Sequence, residues 1–136
     1  MQDVRQKQAD SAKLINSGEF RSGGEKKGSG YFGELPMKSG GKLSEVSVGV
    51  LIDGKETEIP SVVPTLSRQE LDWMVEGNSP AHKSNRDNPI ARSIMMKAKK
   101  HAVQRMKSGK QVWWQEGEPV TKMPEYSREE LLYGNK

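Results

Sequence analysis

A sugar-cleaving site needs two carboxylates facing each other across a cleft. Glu34, Glu45 and Glu58 are the acids that such a site would draw on. They are the first candidates for chemistry, but a small hairpin module has little surface on which to build such a cleft. The two histidines are His82, in a polar stretch, and His101, at the rim of a helical one. Neither has a second His at metal-ligand spacing, and no Asp-rich loop resembles a calcium site. There is no cysteine, hence no thiol nucleophile, no disulfide and no Cys-based zinc site. Gly-x-Ser-x-Gly and His-Glu-x-x-His are both missing. The Gly-rich run from Ser22 to Gly30 lacks the Lys-Ser/Thr ending of a phosphate loop and follows no buried strand, so it reads as a linker. The expectation is a protein without catalysis, metal or cofactor.

Binding chemistry is better represented. No Asp or Glu occurs between Asn88 and Gln115. On a helix over this stretch, Arg92, Lys97, Lys99, Lys100 and Lys107 share the side opposite the apolar residues. Such a face suits solvent and the dipole of a helix C-terminus. The functional alternative, secondary to that, is contact with nucleic acid or an acidic protein surface. Trp113 and Trp114 follow the basic run instead of interleaving with it, so they read as anchors for a partner's pocket, not as base-stacking platforms. Leu131, Leu132 and Tyr133 near one end, and Leu14, Ile15 and Phe20 near the other, complete the set of expected docking residues.

The elements that must position these residues are legible between Glu45 and Gly109. Val46, Val48, Val50 and Ile52 alternate with Ser47, Gly49 and Leu51, as in a half-buried strand. Asp53-Gly54 supplies the turn of a two-residue hairpin. That turn pairs Ile52 with Lys55, Val50 with Thr57 and Val48 with Ile59, placing Ile59 on the valine face. Pro60 and Pro64 confine the second strand to an edge. Tyr31–Leu35 is a further strand candidate, turned by Ser39-Gly40-Gly41. Ser67 and Glu70 form a capping box, with Leu66 and Leu71 as its hydrophobic staple. Leu71, Met74 and Val75 make the buried stripe of the helix that follows, with Trp73 at its margin. Gly77 ends it. Asn78 to Asp87 reads as polar loop. Asn88-Pro89 opens a longer helix running to about Ser108. Ala91, Ile94, Met95, Ala98, Ala102 and Met106 fall within one arc of it, with Arg105 at the edge of that arc. Ser127 to Glu130 repeats the capping-box pattern ahead of Leu131.

These readings predict an α+β fold. A three-stranded antiparallel meander (about 31–36, 43–52 and 55–62) packs its Val46, Val48, Val50 and Ile59 face against two helices. Residues 1–30 form a flexible N-terminal arm, with a weak polar helix over 4–16. Residues 31–112 form the folded module, and 113–136 a C-terminal docking tail. With 136 residues, 32% hydrophobic, and a mean hydropathy of −0.83, the core must be small. A net charge of +4 and a pI near 9.3 permit nucleic-acid contact without requiring it. No apolar run is long enough to span a bilayer, and the first residues show no signal peptide, so synthesis in a cytoplasm is expected.

The string from Glu45 to Leu66 (EVSVGVLIDGKETEIPSVVPTL) resembles a short module in virion proteins of tailed bacteriophages. There, a "Ser-Val-Gly-Val … Asp-Gly-Lys-Glu" hairpin leads into "Ile-Pro-x-Leu-Val-Pro-Thr-Leu". Next come a helix, a second helix rich in Lys, Ala, His and Arg, and an "Arg-Met/Ile-x-x-Gly-Lys" ending. Arg105-Met106-Lys107-Ser108-Gly109-Lys110 is similar to that ending, and the resemblance runs over residues 31–112. It implies a small internal virion protein of the short-tailed type. Such a protein leaves the particle with or before the genome and helps line a conduit across the host envelope. The implied partners are larger ejection, tail or portal proteins, in a homo- or hetero-oligomer, with DNA as a further contact. The family pattern supplies no catalytic residue. Trp113 and Trp114 depart from its usual small, Pro-containing ending.

Overall fold

The computed structural model describes residues 28–133. Leu14, Ile15, Phe20 and the expected 4–16 helix lie outside the described residues. The chain is α+β. Strands β1 (Leu35–Pro36) and β2 (Lys42–Leu43) form one two-stranded antiparallel sheet. Strands β3 (Ser47–Ile52) and β4 (Lys55–Pro60) form another. Helices α1 (Arg68–Val75), α2 (Pro89–Lys107) and α3 (Arg128–Tyr133) follow, with a single 3-10 turn at Lys83–Asn85 within the loop between α1 and α2.

The β3–β4 hairpin has the register that its turn demands: Ile52 opposite Lys55, Val50 opposite Thr57, Val48 opposite Ile59. Asp53 and Gly54 both adopt positive φ, 52° and 77°, which matches the right-handed twist of the two strands. One hairpin face is buried through Val48, Ile52 and Ile59, while Leu51 on the other is 60% exposed.

Helix α1 begins with the capping box in full. Glu70 N donates to Ser67 Oγ at 3.2 Å, and Ser67 N donates to Glu70 Oε1 at 2.8 Å. Leu66 and Leu71 are buried together in one cluster, as a staple requires. At the start of α2, Asn88 Oδ1 accepts from Ile90 N and Ala91 N, at 2.8 and 3.1 Å. Beyond Lys107 the chain closes in a Schellman arrangement. Gly109, at φ 75°, donates its N–H to Met106 O, and Lys110 N donates to Arg105 O.

Two clusters make up the core. One joins Tyr31, Phe32, Leu43, Val46, Val62, Val63 and Leu66 to Leu71 and Met74 of α1 and Ile94 of α2. The other joins Val48, Ile52 and Ile59 to Ala98 and Ala102 of α2. Helix α2 is therefore the wall that both share, and alanine at 98 and 102 lets the hairpin approach it closely. Burial of each of Ile59, Leu71 and Ile94 contributes about 1.5–3 kcal/mol.

The fold departs from the expected three-stranded meander at Ser44–Val46. The chain makes a corner there, so β2 does not run on into β3. Glu45 is buried, and its carboxylate accepts from Gly28 N at 3.1 Å. Val46 O accepts from both Ser61 N and Ser61 Oγ, at 2.8 and 2.9 Å. Val46 consequently packs on the α1 side while Val48 packs on the hairpin side. The expected strand at Tyr31 is likewise a turn: Gly33 N donates to Gly30 O, and both rings that follow Gly30 point into the core. A Cβ at Gly30 would stand 2.4 Å from Ser44 O, so backbone meets backbone there.

Val48→Asp sets an unpaired charge against Ile59, Ala98 and Ala102 and should abolish the cooperative thermal transition followed by circular dichroism. Leu51→Asp, on the open face, should stay within about 0.5 kcal/mol of the parent. Equal behaviour of the two variants would refute the assigned hairpin face.

Candidate functional site

Glu70 accepts three hydrogen bonds through its side chain. Its side chain is only 7% exposed. Oε1 accepts from Ser67 N at 2.8 Å and from Lys97 Nζ at 2.8 Å, while Oε2 accepts from Ser93 Oγ. Ser93 and Lys97 stand one helical turn apart on α2, on the flank that meets α1. Burial opposes ionisation of Glu70. The bonds from Lys97, Ser93 and Ser67 N outweigh it and hold the carboxyl below the ordinary range. A serine, a lysine and a carboxylate in hydrogen-bond reach resemble nucleophilic machinery. Here both Ser93 and Lys97 donate to the carboxylate, so neither is aimed at the other, and Glu70 is a weak base at neutral pH. The arrangement ties two helices together. It also removes Lys97 from the outward basic face assigned to it from the sequence, because Lys97 sits at that face's α1 edge and turns inward to Glu70.

A second polar centre lies at the far end of α2. The Arg105 side chain is 11% exposed. Its Nη1 and Nη2 reach Glu118 Oε2 and Oε1 at 2.8 and 3.1 Å, a bidentate pair. Nε donates to Gln111 O at 2.6 Å and Nη2 to Trp113 O at 2.9 Å. The guanidinium lies 5.5 Å from the centre of the Tyr31 ring, and Tyr31 OH donates to Val112 O at 2.6 Å. Arg105 and Gln115 N hold the Glu118 carboxyl below its ordinary range. His101 meets the same Tyr31 ring edge-on, with centroids 4.9 Å apart. Its buried Nδ1 has no hydrogen-bond partner among the described residues. Burial, then the nearby Arg105, lower its pKa against the opposing pull of Glu118.

The C-terminal segment is thus laid back across the module. Thr121 N donates to Tyr31 O at 2.7 Å. Tyr126 OH donates to Asp72, a bond that raises the phenol pKa. Arg68 stacks 4.7 Å from the Tyr126 ring centre and bonds Asp72 at 3.2 Å. Ser127 and Glu130 form the expected capping box of α3, and Glu130 Oε2 also accepts from Gln69 N of α1 at 3.2 Å. Between this segment and α1 lies an open groove of about 500 Å³, walled by Asp72, Trp73, Glu76, Ile90 and Tyr126.

The expected docking residues divide accordingly. Trp113 and Trp114 are half-buried in their own chain, with Trp114 against the α1-side cluster and its Nε1 donating to Pro119 O at 3.2 Å. Leu131 and Leu132 remain exposed. Arg92, Lys99, Lys100 and Lys107 are exposed along α2. Met106, expected in the buried arc, is exposed, because Arg105 occupies the inward position at that end of the helix. Sequence reasoning missed Arg105–Glu118, Tyr126–Asp72 and the outward Met96. The one available signal was that Arg105 borders the apolar arc, where a cation needs a partner. Of the candidate acids, Glu34 pairs with Lys42 at 3.1 Å, Glu45 is buried, and Glu58 lies opposite Gly49 in the hairpin ladder. Among the described residues no three His, Asp or Glu side chains converge on a metal position, and no helix is long and apolar enough to cross a membrane.

No family model, no curated protein and no solved structure matches the chain.

Glu70→Gln keeps the shape and removes the charge. It should cost about 2 kcal/mol at pH 7, since solvent beside Lys97 screens part of the pair. The folded pKa of Glu70 lies below the unfolded one. Its contribution is whole above the ordinary value of about 4.3 and is lost as pH falls through the folded pKa. Urea melts of parent and variant should therefore converge as the pH is taken down through the acid range below about 4.3.

His101 also has a folded pKa below its unfolded one, but here the neutral form is favoured. The stability this gives is present above about 6.5 and declines as pH falls below that value. His101→Phe keeps a ring against Tyr31 and removes the titration. Between about pH 7 and pH 5 the parent should lose more Tm than the variant does, as read by thermal melts.

Proposed function

We propose that the protein is a non-enzymatic structural component of a tailed-phage virion, an internal or ejection protein of the short-tailed type. In this reading it is made in the host cytoplasm and packaged in the particle. It then leaves with the genome, assembled with larger ejection, tail or portal proteins that carry DNA across the host envelope. The observation that carries the reading is the likeness of residues 31–112 to the virion module. The fold supports treating that string as one physical unit. The hairpin, the buried Leu66 of the Pro-Thr-Leu junction and the Gly109-Lys110 closure each have a defined structural task. The engagement of Glu70, Ser93, Arg105 and Glu118 in inter-element ties supports a scaffold rather than a catalyst.

A second reading, a basic nucleic-acid-binding accessory protein, draws on Arg92, Lys99, Lys100 and Lys107, all exposed on α2. The diversion of Lys97 to Glu70 narrows that patch.

Mass spectrometry of purified particles before and after DNA release separates these roles. The virion reading expects the chain in intact particles and its loss with the genome. Absence from intact particles, or full retention in emptied ones, counts against ejection.

A further inference from the structure

The two most exposed large apolar side chains among the described residues are Leu131, at 70%, and Met96, at 67%. They sit in opposite electrostatic settings. Leu131 and the exposed Leu132 are carried on α3, where Glu125, Glu129 and Glu130 in and just before the helix outnumber its single cation, Arg128. Met96 lies on α2 about 160° round the helix from the buried Ile94. With Val103, Lys99, Lys100 and Lys107 it lines an open groove of about 430 Å³.

We propose that the acidic, leucine-bearing α3 of one copy docks on the basic, methionine-bearing outer face of α2 of a second copy. The apolar pair of α3 fills the groove at Met96 and Val103, and Glu125 and Glu129 meet Lys99, Lys100 and Lys107. Contact within one chain is not made. Glu130 Oε2, accepting from Gln69 N, holds α3 at the start of α1, and both apolar surfaces stay open. Nucleic acid fits this face less well, because its centre is an apolar side chain and no aromatic ring lines the groove for bases to stack on. Donor and acceptor are different surfaces, so the contact is heterologous and each added copy exposes a new one, giving a ring or a filament. Each contact is small, so assembly rises with concentration and falls with salt. The inference rests on the assembly reading above and narrows it to self-assembly.

Sedimentation velocity of the purified full chain over a concentration series tests it. The parent should shift to larger species, less so at high salt. Leu131→Asp/Leu132→Asp and Lys99→Glu/Lys100→Glu alter only exposed positions and should keep the parent melt. Each should weaken association about tenfold or more. An equimolar mixture of the two double variants supplies one intact α3 and one intact groove. It should therefore recover a dimer and nothing larger. A parent that stays monomeric, variants that associate like the parent, or a mixture that stays monomeric overturns the proposal. So does a lysine variant that loses DNA binding with its self-association unchanged. Loss of the chain from particles with the genome, alongside a monomeric parent, would overturn this inference and leave the virion reading standing.

Discussion

The arrangement of the two longer helices depends on the carboxylate of Glu70. An unpaired charge at that depth costs several kcal/mol, so the site is tolerable only while its acceptor positions are filled. Three groups fill them: the backbone N–H of Ser67, the hydroxyl of Ser93 and the ammonium of Lys97. One group comes from the cap of α1 and two come from α2. A slide of either helix by a turn breaks at least two bonds and strands the charge. The apolar contacts of Leu71 and Met74 with Ile94 are non-directional and would accept several offsets. The carboxylate selects one. Because α2 is also the wall of the hairpin cluster, fixing α2 against α1 sets where Ala98 and Ala102 receive Val48, Ile52 and Ile59.

Arg105 plays the corresponding part for the C-terminal segment. Its side chain binds the carboxylate of Glu118 and the carbonyls of Gln111 and Trp113, so one guanidinium gathers three points of the returning chain. Tyr31 braces it from below through its ring and ties down Val112 through its hydroxyl. His101 shares that ring and has little room for charge, which puts a titratable group at the seam between module and tail. Farther along, Tyr126, Arg68 and Asp72 repeat the device on α1. Both attachments are largely polar, with Trp114 and Met123 adding partial apolar cover.

What could be read from the sequence was what is local in it. The Asp53-Gly54 register, both capping boxes, the staple and the Asn88-Pro89 start each depend on residues within a few positions of one another, and each forms as their chemistry dictates. The features that escaped depend on distant partners. Glu45 turning inward at the Ser44–Val46 corner requires Gly28 and Ser61, which no period or cap indicates. Lys97 looks outward on a helical projection, and only the arrival of Glu70, 27 residues earlier, turns it in. Trp113 and Trp114 look like anchors for another protein because their own chain's return path is invisible in the sequence. Leu131 and Leu132, expected from the sequence to dock, stand exposed on the six-residue α3.

The distribution of polarity bears on how such a chain meets its neighbours. Only 32% of its residues are hydrophobic, yet Leu131, Leu132 and Met96 are left outside while Glu70 and the Arg105–Glu118 pair are drawn in. Removing one partner of a buried pair strands the other charge, and apolar surface left outside costs solubility, so both choices constrain the chain. The two are linked through α3. Glu130 caps α3 and bonds to Gln69 at the start of α1, next to the Glu70 site, so the position of Leu131 and Leu132 is set by the same helix pair that carries Met96. In the proposed contact between copies, the relation of donor to acceptor is therefore fixed by the fold and not by a free tail. A fixed relation is what gives repeated heterologous contacts a constant rotation per subunit, and with it a defined ring or filament instead of an amorphous aggregate.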